Sequence, residues 1–254
     1  MPASPPQPPS GHGLLLGKGV LVTAAAGSGI GSSTARRCLD EGARVVIADK
    51  HERRLGETAA ELGVTGIVCD VTDEASVQAM IAAAAAELGG IDVLVNNAGL
   101  GGTAEVHEMT DQQWSVVLDV TLNGTFRVTR AALNHMYPRG SGVIVNNASV
   151  LGWRAQAGQA HYAAAKAGVM ALTRCSAIEA APRGVRINAV APSIAMHANL
   201  AKVTSDELLA ELTSREAFNR AAEPWEIANV IVFLASDYST YMTGEVVSVS
   251  SQRA

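Results

Sequence analysis

Gly19-Val-Leu-Val-Thr-Ala-Ala-Ala-Gly-Ser-Gly-Ile-Gly31 is an apolar, β-branched run that passes through a glycine-rich turn into a helix-forming segment. A turn of this kind lets backbone amides and the positive end of a helix approach a pyrophosphate. Ser28, Gly29, Ile30 and Gly31 are therefore candidate cofactor contacts. Taken alone the turn is ambiguous, because glycine-rich strand-to-helix turns also serve plain packing.

The rest of the chain repeats the same grammar. Short β-branched runs at 19–24, 44–49, 66–69, 92–96, 142–146, 186–190 and 245–249 each end near Gly, Asp or Asn. Between them lie Ala-rich stretches of helical period at 30–41, 51–62, 74–88, 111–136, 159–181 and 224–235. This alternation predicts an α/β fold, a single Rossmann-type doubly wound parallel sheet of about seven strands with helices on both faces. The strands are apolar rather than alternating, as expected when both faces are covered. The segment 196–220 breaks the rhythm after a strand end, where a substrate lid is expected.

Composition narrows the function. The chain has 254 residues, 48% of them hydrophobic, and a net charge of -5. One domain over residues 14–254 is expected, preceded by a Pro-rich tail at 1–13 with no fixed structure. The scattered arginines and four lysines make no basic stripe for nucleic acid. No apolar run approaches the ~20 residues that cross a bilayer, and the start does not read as a signal peptide. Cys38, Cys69 and Cys175 are distant and odd in number, which predicts reduced, packed thiols in a cytoplasmic protein and no metal site.

Several candidate residues fall on one edge of the predicted sheet. Asp49 ends the second strand, where a carboxylate accepts hydrogen bonds from an adenosine ribose and repels a 2′-phosphate. That favours NAD, with NADP left open by the neighbouring Lys50, Arg53 and Arg54. Asp70 ends the third strand and Asn96-Asn97-Ala98-Gly99 follow the fourth, on the carboxyl edge where doubly wound folds bind ligands.

Tyr162 and Lys166 are four apart in a helical segment and share one face. A free phenol has a pKa of ~10, too high for a base at neutral pH, and a fixed cation beside it favours the phenolate. Ser149, at the end of the fifth strand, can hydrogen-bond a substrate oxygen whose charge changes during hydride transfer. Together they suit interconversion of a secondary alcohol and a ketone.

With those residues in order, the chain resembles the compact short-chain dehydrogenases/reductases over about residues 14 to 250. The motifs are Gly29-Ile30-Gly31, Asp49, Asp70-Val71, Asn96-Asn97-Ala98-Gly99, Ser149, Tyr162-xxx-Lys166 and Asn188-Ala-Val-Ala-Pro192. The resemblance implies that Tyr162 is general acid and base, that Lys166 also binds the nicotinamide ribose, and that Ser149 positions the substrate oxygen. It further implies that Asp70, Val71, Asn97, Ala98 and Gly99 belong to the cofactor site and that Pro192 and Ile194 lie near the nicotinamide. It also implies a homotetramer.

Four departures from the family stand out. Its leading glycine is Ala24 or Ala25, depending on register. The Asn that holds a relay water is Thr121, and Asn123, on another helix face, does not replace it. Ser193 and His197 stand for the usual Gly and Thr, and the tail reads Val249-Ser-Ser-Gln. The whole pattern is similar to actinobacterial members linked to acyl thioester or steroid catabolism.

Leu100, Val150, Trp153, Arg154, Gln156 and His197 follow strand ends near the nicotinamide and are the candidate substrate contacts. His161 reads as a helix-surface residue. A small-molecule lipidic substrate is expected, a 3-hydroxyacyl thioester or a hydroxysteroid. Two alternatives are an NADPH-dependent 3-oxoacyl reductase and a nicotinamide-binding sensor without catalysis.

Overall fold

The computed structural model describes residues 7–196 and 206–251. Seven parallel strands form one sheet in the order β3-β2-β1-β4-β5-β6-β7. They are β1 (Gly19–Thr23), β2 (Arg44–Asp49), β3 (Thr65–Val68), β4 (Val93–Asn96), β5 (Gly142–Asn147), β6 (Val185–Pro192) and β7 (Val246–Val249). The helices are α1 (Ile30–Asp40), α2 (Glu52–Leu62), α3 (Glu74–Leu88), α4 (Asp111–Leu118), α5 (Gly124–Met136), α6 (Ala160–Ala180), α7 (Asp206–Ser214) and α8 (Pro224–Ala235). The chain winds outward from β1 to β3, then returns to lay β4 on the other edge of β1. That reversal opens a crevice at the carboxyl ends of the strands.

The uninterrupted apolar strands are explained by two cores. Leu21, Val46, Leu94, Ile144 and Ile187 pack with Val77 and Met80 of α3 and Val128 and Met136 of α5. The alternate residues Val20, Val22, Ile47, Val93 and Val95 pack on the other side with Ala35 and Cys38 of α1 and Ile227 and Ile231 of α8. Truncating a side chain such as the fully buried Leu21 to Ala is worth about 2–5 kcal/mol. β3 is the exception, an edge strand that is mostly exposed.

Local chemistry sets the helix ends. The Asp73 carboxylate caps α3, a Thr110/Gln113 capping box starts α4, and a Glu223/Glu226 box with Pro224 starts α8. Left-handed Gly63 and Gly89 end α2 and α3.

The long helix expected over 111–136 is interrupted by a π-helical turn at Asp119–Asn123. The extra residue turns Thr121 fully inward. Asn123 is exposed and donates to Asp119 Oδ1 at 3.1 Å. A hydrophobic period of 3.6 carries no mark of such a bulge.

Within the stretch 1–13, expected to lack fixed structure, the residues from Pro9 onward make defined contacts. Arg37 and Glu41, four apart on α1, form a buried ion pair at 2.7 Å. Glu41 accepts the N–H groups of His12 at 2.8 Å and Leu14 at 3.0 Å, and Arg37 donates to the Pro9 carbonyl at 3.1 Å. Those bonds hold residues 9–14 against α1. Cys38 and Cys69 are buried, but Cys175 is exposed on α6 rather than packed.

Candidate active site

Three side chains converge where β5 runs out and α6 begins. Ser149 lies two residues beyond β5 and caps one 3-10 turn, Val150–Gly152, its Oγ accepting from the Leu151 N–H at 3.2 Å. Tyr162 and Lys166 sit one turn apart on α6, and the Ser149 hydroxyl hydrogen-bonds the Tyr162 phenol. Lys166 Nζ is 5.6 Å from the Tyr162 ring centroid and donates to the Asn147 carbonyl at 2.5 Å. Gly99 leaves room for that ammonium, since a Cβ there would lie 3.3 Å from Nζ.

Burial dominates the electrostatics. Enclosure pushes the Tyr162 hydroxyl up to about 12, against the opposing Ser149 hydrogen bond. The same cause pushes the Lys166 ammonium down to about 8. Its N–H bond goes to Asn147, not to the phenol.

The glycine-rich turn lies across the crevice. Ala24 adopts φ 49, a left-handed conformation that favours glycine, while Ala25 is fully buried. Gly31 is obligatory, because a Cβ would lie 2.4 Å from the Ala24 carbonyl oxygen. Asn97 braces the turn, its Nδ2 donating to that oxygen at 3.0 Å and its N–H to Thr23 Oγ1 at 3.0 Å. The exposed Ser28 and N-cap Gly29 open α1 with no side-chain cap. Asp49 closes the turn from β2, accepting from Ala26 N–H at 3.2 Å and His51 N–H at 3.0 Å. Asp70 accepts from the Thr72 N–H at 2.9 Å and hydroxyl at 2.8 Å, and these bonds hold its carboxyl below the usual range.

The family model described as enoyl-(acyl carrier protein) reductase matches residues 24–251. The chain belongs to the short-chain dehydrogenase/reductase family. Among its relatives is the (5R,7aS)-5-hydroxy-7a-methyl-1-oxo-2,3,5,6,7,7a-hexahydro-1H-indene-carboxyl-CoA reductase of Mycobacterium tuberculosis, 66% identical over 97% of each chain. The cis-4-hydroxycyclohexanecarboxylate dehydrogenase of Sinomonas cyclohexanicum is 42% identical over 91% of this chain and 94% of its own. The crystal structure of a short chain dehydrogenase from Mycobacterium smegmatis superposes with a TM-score of 0.89 at 61% identity, covering 99% of both chains.

The protein is thus an oxidoreductase acting on CH–OH groups, and its family uses a nicotinamide cofactor. The residues fit such a group. A Cβ placed on Gly27 or Gly29 would meet no atom within 4 Å, which leaves the mouth of the turn open above the uncapped α1. Val71 and Ala98, next in sequence to Asp70 and Asn97, are buried, Pro192 ends β6 and Ile194 lies two residues beyond it. Among the described residues no cluster of His, Cys, Asp or Glu is placed to hold a metal, and no helix is long and apolar enough to cross a membrane.

The substrate side agrees less with the sequence reading. Leu100 and Trp153 are exposed and Arg154 and Gln156 half-buried, but Val150 is 3% exposed and packs inward. His197 lies outside the described residues. His161 is buried rather than on the helix surface, and a Cβ on Gly102 would lie 3.0 Å from its Nε2. Gln159 Nε2 donates to the Gly102 carbonyl at 2.8 Å, tying the loop after β4 to the start of α6.

Two further residues escaped the sequence reading. Asn147 contacts both Lys166 and Asn97. The buried Glu216 accepts from the Ser251 N–H at 3.1 Å and hydroxyl at 2.7 Å, so a serine of the unusual tail latches the segment that follows α7. The unusual Ser-Ser of the tail was the one available signal for the latch.

Proposed function

We propose that this enzyme is an NAD(H)-dependent dehydrogenase/reductase that interconverts a ring alcohol and ketone on a coenzyme A thioester of a fused bicyclic acid. The observation that carries the reading is the convergence of Ser149, Tyr162 and Lys166 in a chain 66% identical to a reductase of a bicyclic carboxyl-CoA. The bound nicotinamide supplies the hydride acceptor or donor. Ser149 hydrogen-bonds the substrate oxygen, Tyr162 takes its proton in oxidation and returns it in reduction, and Lys166 holds the local positive charge. Asp49, with its two accepted N–H bonds at the mouth of the turn, supports NAD over NADP. The exposed Leu100 and Trp153 supply apolar surface for the bicycle.

The protein is further proposed to be a cytoplasmic homotetramer formed by one folded domain. Trp114, Val116 and Phe126, exposed on α4 and α5, support burial between copies. Light scattering at the monomer mass would end that part of the reading.

The test pairs a hydroxylated hydrindane carboxyl-CoA with its free acid, using NAD+ and NADP+ in turn. Turnover confined to the thioester and NAD+ is expected. Tyr162→Phe should abolish turnover while NADH still binds. A Tyr162→Phe enzyme that keeps its rate would overturn the assignment.

A further inference from the structure

Oxidation of an alcohol releases one proton per turnover. The C–H bond breaks and its hydrogen would depart with the electron pair as hydride to the nicotinamide, while the O–H proton goes to the Tyr162 oxygen. That proton must then reach solvent. Lys166, one turn along α6, is only 2% exposed and cannot hand it directly to bulk water. Thr121, at the position where the family keeps an asparagine, is already committed. Its single O–H donates to the Leu100 carbonyl at 3.2 Å, and it accepts from the Leu100 N–H at 3.0 Å. A hydroxyl with its one donor spent can no longer donate to a water.

Asn147 offers a buried acceptor that nothing has yet engaged. Its main-chain oxygen takes the Lys166 N–H at 2.5 Å. Its Nδ2 donates to Asn97 Oδ1 at 2.8 Å, and Asn97 Nδ2 in turn donates to the Ala24 carbonyl. The alternation fixes both amides, because turning either one would set two oxygens or two NH2 groups face to face. Asn147 Oδ1 is thereby held as an acceptor. It is buried and has no partner among the described residues. A buried carboxamide oxygen left unpaired is costly, and a bound water is the ordinary remedy.

We propose that Asn147 is the positioning residue of proton release. Its main-chain oxygen orients Lys166, and its side-chain oxygen holds the water that carries the proton from the Lys166 ammonium to solvent, and back in reduction. The same amide chain links Lys166 to the glycine-rich turn. The inference rests on the roles given above to Tyr162 and Lys166.

The test uses the full-length enzyme with NAD+ and the hydrindane alcohol thioester. Asn147→Ala should lower kcat by about 100-fold, the lower end for a positioned proton-transfer group. Small amine or imidazole buffers should restore much of the rate, and the solvent deuterium isotope effect on kcat should rise. NADH affinity, read by fluorescence, should change less than the rate, and 13C-methyl labelling of the lysines should show a shifted Lys166 titration. Thr121→Val should show none of the buffer rescue. An Asn147→Ala enzyme whose loss follows cofactor affinity and ignores buffer would overturn the proposal, as would one with an unchanged rate. If Tyr162→Phe also kept its rate, the fault would lie in the underlying assignment instead.

Discussion

The Thr121 hydroxyl closes both backbone groups of Leu100, accepting its N–H at 3.0 Å and donating to its carbonyl at 3.2 Å. A π-helical turn therefore pins Leu100, in the loop after β4 that rims the substrate side. Thr121→Val keeps the shape and leaves two backbone groups without partners. A loss of about 1–3 kcal/mol is expected. The melting temperature of a domain this size should fall by roughly 2–4 °C per kcal/mol. The Michaelis constant for the alcohol should rise more than kcat falls, and calorimetry with steady-state kinetics checks both.

Lys166 is a stability liability that function retains. Its folded pKa of about 8 lies below the ordinary lysine value of 10.5, so the unfolded chain binds more protons between those values. The penalty is full below pH 8 and is relieved as pH rises from 8 towards 10.5. Lys166→Met should end turnover yet stabilise the fold at pH 7 by up to about 3 kcal/mol, the equivalent of that shift. Urea melts at pH 7 and pH 9.5 should converge for the variant. A variant less stable than the parent at pH 7 would contradict the account.

Asp49 serves the turn and the adenosine ribose together. Asp49→Ser removes the negative charge while keeping an acceptor for the Ala26 N–H. NADH binding should weaken by about 10-fold, the worth of one charge-assisted hydrogen bond, and NADPH binding should tighten. Parallel fluorescence titrations read the ratio, and an unchanged ratio would remove Asp49 from cofactor choice.

The Glu216–Ser251 latch separates shape from charge. Glu216→Gln retains an acceptor for the Ser251 N–H and hydroxyl and should be nearly neutral. Glu216→Ala leaves both part-buried donors without their acceptor and should cost about 1–2 kcal/mol. Equal losses in thermal melts would mean that the carboxylate charge, not the acceptor, holds the tail.

The sheet was legible because its physics is local. Apolar runs such as Val20–Val22 and Val93–Val95 carry their own period and end in turn residues, so all seven strands fall within a residue or two of their expected places. Ser149, Tyr162 and Lys166 were legible for a similar reason, since a helical spacing of four and a strand end bring them to one place. What escaped depends on distant pairing. Asn147 looks like any polar strand end until Asn97, fifty residues away in sequence, meets its amide. The bulge at Asp119–Asn123 follows from Thr121 reaching a loop that sequence periodicity does not locate. His161 is buried because Gly102, on another loop, yields it the space.

The strand order also sets a timetable for synthesis. β1, β2 and β3 can pair as soon as Val68 has left the ribosome, since each neighbours the next. The other edge of β1 has no partner until Val93–Asn96 is made, when Leu21 meets Leu94. For the interval between, the nascent chain presents an open, largely apolar strand edge, the form most prone to pairing with other chains. Ribosome-associated chaperones should engage this protein most strongly while residues 69–92 are emerging from the ribosome, and release it when β4 emerges.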